Sequence, residues 1–346
     1  MNFKKLFNWE YWPSSMFYIP NVPYAFLLAL KAKNFTFFSA VNPAIKHSGN
    51  GTESKFETLA LFPSEFIPKS IFVEKGKPID NIFLEISKKD IQYPLIIKPD
   101  IGFRGLLVQQ IRNEKELETY LKKNHFINLI IQEFIAFKDE CGIFYHKLPG
   151  NKTGKITSIT LKKYLTIFGD GTSSLKELIL NDTRAIHYKD LLFEINKEKL
   201  QTILKKDEKK VLNVIGNHSK GTQFINGNHL ITKELEQTFD ILFSKIPNVF
   251  YGRVDCKYNS FEKLIDKNEF KIIEMNGIIS EPTHIYDSNS ITYFEALKEF
   301  RKHWKILYEI TVINNKKYGV KYEKPSIFIN SLLQLKRYTK QLKKNS

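Results

Sequence analysis

Two short apolar runs limit this chain more than anything else in it: Tyr251-Gly-Arg-Val-Asp-Cys256 and Ile272-Ile-Glu-Met-Asn-Gly277. Each reads as a strand, and strand side chains alternate between faces. Arg253 and Asp255 then share one side of the first run, and Glu274 and Asn276 share one side of the second. Brought together, Asp255, Glu274 and Asn276 offer three hard oxygen donors around one small volume. Magnesium takes such ligands and completes its shell from phosphates and water. Arg253 adds a permanent cation with a planar donor fork, suited to a phosphate or a developing oxyanion. The plainer alternative is a solvent-facing hairpin of alternating polar residues. Against it, Asn276 and Gly277 close a strongly apolar strand, where a surface strand more often carries Lys or Thr.

A second signal is Tyr93-Pro-Leu-Ile-Ile-Lys-Pro-Asp-Ile-Gly-Phe-Arg-Gly105. A lysine at the end of a buried strand, followed by Pro and a glycine loop, suits polyphosphate. The lysine supplies charge, and glycines let backbone N–H groups approach the oxygens. It is not a Walker loop, since GxxxxGK[ST] is absent and no strand feeds a GxGxxG helix. Taken alone, it is equally a strand ending in a lysine-bearing turn.

Around these signals the pattern alternates. Strands are expected over 66–73, 95–98, 106–111 and 129–135, with a helix over 114–123 capped by Asn113. This is the order of an α+β sandwich. A strand over 155–165 leads to the turn Gly169-Asp-Gly171, and a helix over 175–180 starts at Thr172 or Ser173. Residues 186–210 read as a polar helical stretch. Strands over 211–215 and 222–225 flank the loop 216–221, which either closes over phosphates or is a plain polar connection. Helices follow over 233–245 and 294–307, with strands over 250–257 and 270–275 between them. No repeats appear.

In this order the motifs resemble the ATP-grasp superfamily, particularly its D-alanine–D-alanine ligase and cyanophycin-synthetase-like branches, from about residue 54 to about residue 286. The resemblance implies an α+β ATP-grasp fold in which two subdomains clamp ATP. It implies that Lys55 in ESKFETL and Lys98 in LIIKPD contact the nucleotide phosphates. Glu133, Phe134 and Ile135 match the hinge against the adenine, Glu140 the ribose-binding acid, and Lys162 or Lys163 a later nucleotide contact. GRVD and IIEMN match the magnesium and catalytic-arginine strands, so Asp255, Glu274 and Asn276 are expected as metal ligands and Arg253 and Lys98 as catalytic residues. The implied cofactors are ATP and Mg2+, with Mn2+ as an alternative. The implied activity is an ADP-forming carboxylate–amine ligase making an amide or peptide bond through an acyl-phosphate. A catalytically inactive nucleotide-binding protein and a phosphotransferase on the same scaffold are the rivals. The expected division is a short aromatic N-terminal module at 1–53, lobes at 54–135 and 136–310, and a basic tail at 311–346.

The chain departs from the family in three places. Gly277-Ile-Ile-Ser-Glu-Pro-Thr-His284 puts Glu281 and His284 where D-alanine ligases present small groups, which argues for a different substrate. Phe103 and Arg104 stand in the glycine loop in place of small hydroxyl residues. The region before Lys55 is too short for a full preceding α/β domain, so the substrate pocket must be completed in another way. His284 and Tyr286 either face the amine or are packed residues, and His187, His218 and His229 read as ordinary.

The net charge is +16, nearly all from lysine spread along 346 residues. A solvated lysine-rich surface is the plainest account. A field attracting an anionic nucleotide is the next, and the third is contact with an anionic membrane surface or with nucleic acid, a rival suggested by charge alone. The expected partners are small carboxylate and amine substrates resembling amino acids or peptides, with no nucleic acid. Two cysteines form no disulfide framework, and no cleavable leader is evident, so a cytoplasmic location is expected. The run Tyr24–Leu30 is too short to span a bilayer. Trp9, Tyr11, Trp12, Phe17 and Tyr18 beside it leave two options, a helix packed on the body or a peripheral membrane contact. The oligomeric state is open.

Overall fold

The computed structural model describes residues 8–102, 105–265 and 269–345. Phe103 and Arg104 of the glycine loop lie outside the described residues. The architecture is α+β, as expected, with two antiparallel sheets and a two-stranded ribbon.

The first sheet has the order β1 (Ser70–Val73), β4 (Leu129–Glu133), β2 (Leu95–Pro99), β3 (Gln109–Ile111). Its core gathers Ile71, Leu95, Ile97, Ile111 and Ile131 against the helices Ile79–Lys88 and Glu114–Asn124. The second of these helices is capped as expected, the Asn113 side chain accepting from the Glu116 N–H at 2.9 Å. Along β2, Leu95 and Ile97 are buried in this core, while Ile96 and Lys98 alternate onto the opposite face.

Two strands are shorter than their apolar runs suggest. Ser64–Phe66 is a 3-10 turn and Pro68 cannot donate to a ladder, so β1 begins only at Ser70. Leu107 takes a left-handed φ of 55°, so the returning strand is cut to Gln109–Ile111.

The second sheet has the order β11 (Phe270–Asn276), β10 (Tyr251–Tyr258), β5 (Asp139–His146), β6 (Lys155–Lys163), β9 (Gln223–Asn226). Val254, Cys256 and Tyr258 of β10 enter a core with Cys141, Ile143, Ile272 and Met275, closed by the amphipathic helix Lys233–Ser244. The segment expected as a strand over 211–215 behaves differently. Only Lys209–Val211 is strand (β8), and it pairs with β7 (Thr166–Phe168) as a separate ribbon. Beside the ribbon, the helix Leu175–Asn181 is capped by Ser174, not by Thr172 or Ser173, through a reciprocal capping box with Glu177. The stretch 186–210 breaks into short turns around one helix, Lys189–Ile195.

The N-terminal segment wraps the long helix Tyr293–Tyr318, which continues well beyond the expected 307 and stops at Gly319 in the left-handed region. Phe17 packs on Phe300, and Leu28, Ala29 and Phe37 pack on Trp304 and Tyr308. Asn42 is fully buried and pins this segment to β10, accepting from the N–H groups of Phe250 and Tyr251 and donating to the Tyr251 carbonyl. The loop at Ser48–Gly49 lies directly on Gly277: Ile278 and Ile279 donate to the carbonyls of Ser48 and Gly49. A Cβ on Gly277 would stand 2.3 Å from the Ser48 oxygen, so only glycine allows this approach. A last helix, Pro325–Asn345, completes the chain.

Candidate functional site

The two sheets face each other across a cleft of about 550 Å³. Eleven of the twelve expected site residues line it: Lys55, Lys98, Glu133, Phe134, Ile135, Glu140, Lys162, Arg253, Asp255, Glu274 and Asn276. Lys163 does not. It follows Lys162 on β6, so the alternation of the strand turns it to the exposed side. The expectation of Lys162 or Lys163 therefore falls on Lys162.

The acids are placed by strand pairing. β10 and β11 run antiparallel, with Arg253 opposite Asn276 and Asp255 opposite Glu274. The register then slips, so that Cys256 faces Ile272 and Ile273 is the extra residue of a bulge. The slip keeps Ile272 in the core while Glu274 and Asn276 remain on the cleft face with Asp255.

Cations reach the cleft from one helix and three strands. Lys55 opens the short helix Lys55–Ala60. That helix is fastened to the end of β2 by Asp100, whose carboxylate accepts from Ser54 Oγ at 2.9 Å and from the Phe56 N–H at 3.0 Å. Its ammonium is ion-paired with Glu274. From β2, the Lys98 ammonium donates to the Ile273 carbonyl at 3.0 Å and to Gln132 Oε1 at 3.3 Å. Lys162 sits between two carboxylates, 2.6 Å from Glu140 and 3.2 Å from Asp255. Arg253 spans the centre, with Nε 3.2 Å from Asp255 and Nη1 donating to the Glu281 carbonyl at 3.1 Å.

This network sets the titration of its members. Burial lowers Lys98 to about 8, only partly opposed by Glu274. For Lys55, burial acts in the same direction, but Glu274 outweighs it and the ammonium is held above its usual range. Burial would raise Glu274, yet Lys55 and then Lys98 hold it well below the carboxylate range. Lys162 is likewise raised despite burial, through Asp255 and Glu140. Glu140 is lowered despite burial, through Lys162 and Lys257. At neutral pH the cleft therefore holds paired, ionised groups of both signs.

Glu140 lines the cleft but is nearly excluded from solvent. Both its oxygens are engaged, one by Lys162 and one by the Tyr164 hydroxyl, each at 2.6 Å. Gly216 lies so close over it that a Cβ there would stand 2.3 Å from the carboxylate. Glu133, Phe134 and Ile135 form the passage from β4 toward β5, on the wall between the two sheets.

Among the described residues, no group of three or more His, Cys, Asp or Glu is placed to hold a metal. The donor set is two carboxylates and the amide of Asn276 on one strand-pair face. That set fits a hard divalent cation drawing its other ligands from phosphate and water.

Several cleft residues carried no motif in the sequence. Glu10, Trp12, Pro13, Ser14 and Tyr18 of the N-terminal segment form one wall of the cleft. Glu10 is ion-paired with Arg184 at 2.6 Å and lies 3.1 Å from His218 Nε2. His218, read as ordinary, also stacks on Tyr286, so the loop 216–221 forms cleft wall. Glu281 accepts from the hydroxyls of Tyr18 at 2.6 Å and Tyr286 at 2.7 Å. His284 instead points inward, buried against Ser158 Oγ at 2.7 Å, with burial lowering it to about 4.

Several solved structures are similar to this chain. VanG D-Ala:D-Ser ligase from Enterococcus faecalis matches at 14% identity and a TM-score of 0.44, over 76% of this chain and 64% of that one. D-alanine–D-alanine ligase from Bacillus anthracis matches at 14% identity and 0.44, over 77% and 71%. Carboxyaminoimidazole ribonucleotide synthase from Aspergillus clavatus, complexed with ATP, matches at 10% identity and 0.45, over 83% and 58%. The match thus spans slightly less than two thirds of the VanG chain's own length. No family model and no curated protein matches the sequence.

Proposed function

We propose that the chain is an ATP- and Mg2+-dependent ligase that joins a carboxylate to an amine. One observation carries this reading. Four cations, Lys55, Lys98, Lys162 and Arg253, interleave with the acids Glu140, Asp255 and Glu274 in a single cleft between two sheets. A site for one charged ion would collect one sign. A site for a polyanion together with its countercation collects both, and the residues hold each other until those ligands take their places.

In this reading Lys55, Lys98 and Lys162 hold the phosphates. Asp255, Glu274 and Asn276 would hold Mg2+, which supplies charge neutralisation between phosphate oxygens. Glu133, Phe134 and Ile135 border the base. Glu140 keeps Lys162 oriented, which is a different task from binding ribose. Arg253 steadies the phosphoryl group passing from ATP to the substrate carboxylate. It then steadies the oxyanion formed when the amine attacks the acyl-phosphate and displaces inorganic phosphate.

Beyond Arg253, the Glu281 carboxylate has no cationic partner within 4 Å among the described residues, and two tyrosines fix its position. Tyr18 is held protonated by burial and by Glu281 itself, so it remains a donor. A fixed anion at this end of the cleft attracts an ammonium and repels a carboxylate. We assign Glu281 to the arriving amine, in keeping with an acceptor other than D-alanine. The lobes at 54–135 and 136–310 and a cytoplasmic site of action belong to the same proposal.

Phosphate release from ATP and Mg2+, screened over amino acids and short peptides, tests the reading. Release that needs both a carboxylate and an amine, with an amide as product, is the expected result. A stable phosphorylated product would make the chain a phosphotransferase. Nucleotide binding without turnover on any substrate pair would make it an inactive binding protein.

A further inference from the structure

The helix Val22–Ala32 is apolar on both sides. Leu28 and Ala29 face Trp304 and Tyr308, as a surface helix requires. The opposite face carries Val22, Phe26 and Leu30, continued by Ile19 before the helix and Phe35 after it. These five side chains are between 53% and 65% exposed. The spacing of three to four residues from Ile19 to Leu30 makes one stripe, and Phe35, past the helix end, joins it by its ring, 5.8 Å from that of Phe26. Scattered single apolar residues on a surface need no explanation, but a contiguous stripe marks an interaction surface.

Charge narrows the partner. No Asp or Glu occurs between Glu10 and Glu53, and this 42-residue interval carries Lys31, Lys33 and Lys46. Lys31 and Lys33 are exposed at the end of the striped helix. The helix Pro325–Asn345 packs on the same segment, Phe328 against Phe38 at 5.0 Å and Ser331 Oγ accepting from Asn50 at 2.9 Å. It too is free of acids, with Lys336, Arg337, Lys340, Lys343 and Lys344. A second copy of the chain would bring like charges together, each molecule carrying +16. An anionic lipid surface satisfies both the apolar stripe and the lysines. Among the described residues no helix is long and apolar enough to cross a membrane, so the contact is interfacial.

We infer that the stripe from Ile19 to Phe35 docks this protein on the interface of an anionic lipid bilayer. The inference is independent of the ligase reading. Co-sedimentation of the full chain with vesicles of phosphatidylcholine containing 30% phosphatidylglycerol (a composition of about that value, chosen to give strong surface charge) should capture it, and pure phosphatidylcholine should capture it less. Phe26→Asp should weaken capture at least about tenfold, since a charge would have to enter the acyl boundary. Lys31→Glu should weaken it about fivefold or more at low salt and less at high salt. Both sites are exposed, and an unchanged thermal midpoint would show that folding is intact. Failure of the unaltered chain to bind the anionic vesicles would overturn the inference. So would binding indifferent to Phe26→Asp and Lys31→Glu, or a concentration-dependent dimer in sedimentation velocity that Phe26→Asp abolishes while vesicles capture nothing.

Discussion

Asp255 and Glu274 stand directly opposite each other on β10 and β11, immediately before the ladder slips by one residue. Continued without the slip, the register would set Ile272 against Lys257 and turn a core side chain into the cleft. The extra residue, Ile273, prevents this, and its carbonyl receives the Lys98 ammonium. One irregularity thus places the two carboxylates face to face and ties the opposing lysine to them.

If those carboxylates hold the metal, Asp255→Asn and Glu274→Gln should each reduce ATP-dependent phosphate release by at least about a hundredfold, the scale of losing one preorganised electrostatic contact to the transition state. Secondary structure by circular dichroism should be unchanged. Glu274→Gln should also lower stability by about 1–2 kcal/mol, because it leaves the Lys55 ammonium facing a neutral amide. Substantial turnover in either variant would remove the metal assignment.

The neighbours Lys162 and Lys163 should behave oppositely. Lys162 neutralises Glu140 and Asp255, both nearly excluded from solvent. Lys162→Met should therefore destabilise by roughly 3–5 kcal/mol, the range for stripping one partner from a buried pair. Lys163→Met, on the exposed side, should change stability by no more than about 0.5 kcal/mol. Urea unfolding of the two variants beside the parent checks this, and equal effects would contradict the assignment of their faces.

The contrast shows what the sequence could and could not convey. Alternation along GRVD and IIEMN was enough to put Arg253, Asp255, Glu274 and Asn276 on common faces, because the period of a strand is fixed. It could not say which of two adjacent lysines points inward, since KK carries no alternation of its own. The bulge at Ile273 was equally invisible: any apolar residue would fit the run, and the slip is decided by which side chains the core accepts. Asn113 as a cap was legible because capping is local chemistry. Glu10, Tyr18 and His218 were not, because their role comes from the N-terminal segment folding across the cleft. Their partners lie far off in sequence: Arg184 for Glu10, Glu281 for Tyr18, and Glu10 for His218.

Lys98 predicts a pH signature in stability. In the folded chain it titrates near 8, with burial the main cause, whereas an unfolded lysine titrates near about 10.4. Between these values the unfolded chain binds more protons, so this residue makes stability rise with pH across that window. Below pH 8 the buried charge is carried at full penalty. Lys98→Met should therefore raise stability at pH 7, by at most on the order of 3 kcal/mol, a net figure that already includes the attraction to Glu274. The gain should shrink as pH climbs from 8 toward 10.4. Thermal midpoints of parent and variant at pH 7 and pH 10 decide it; an identical difference at both would show that Lys98 is not the group responsible. The same variant should lose nucleotide affinity, the usual trade between stability and a charged site.

Glu281 offers the sharpest separation between binding the nucleotide and choosing the substrate. Its carboxylate is fixed by Tyr18 and Tyr286, and only its backbone carbonyl touches Arg253. Glu281→Gln keeps the shape and the tyrosine contacts but removes the charge. With the amine that supports turnover, KM for that amine should rise by roughly 10- to 100-fold, the value of a hydrogen bond to a charged group, while KM for ATP stays the same. Tyr18→Phe, which loosens the carboxylate without discharging it, should give a smaller rise in the same constant. A Glu281→Gln variant that instead raised KM for ATP and left the amine constant alone would place this carboxylate at the nucleotide end of the cleft, and the acceptor would have to be sought elsewhere along it.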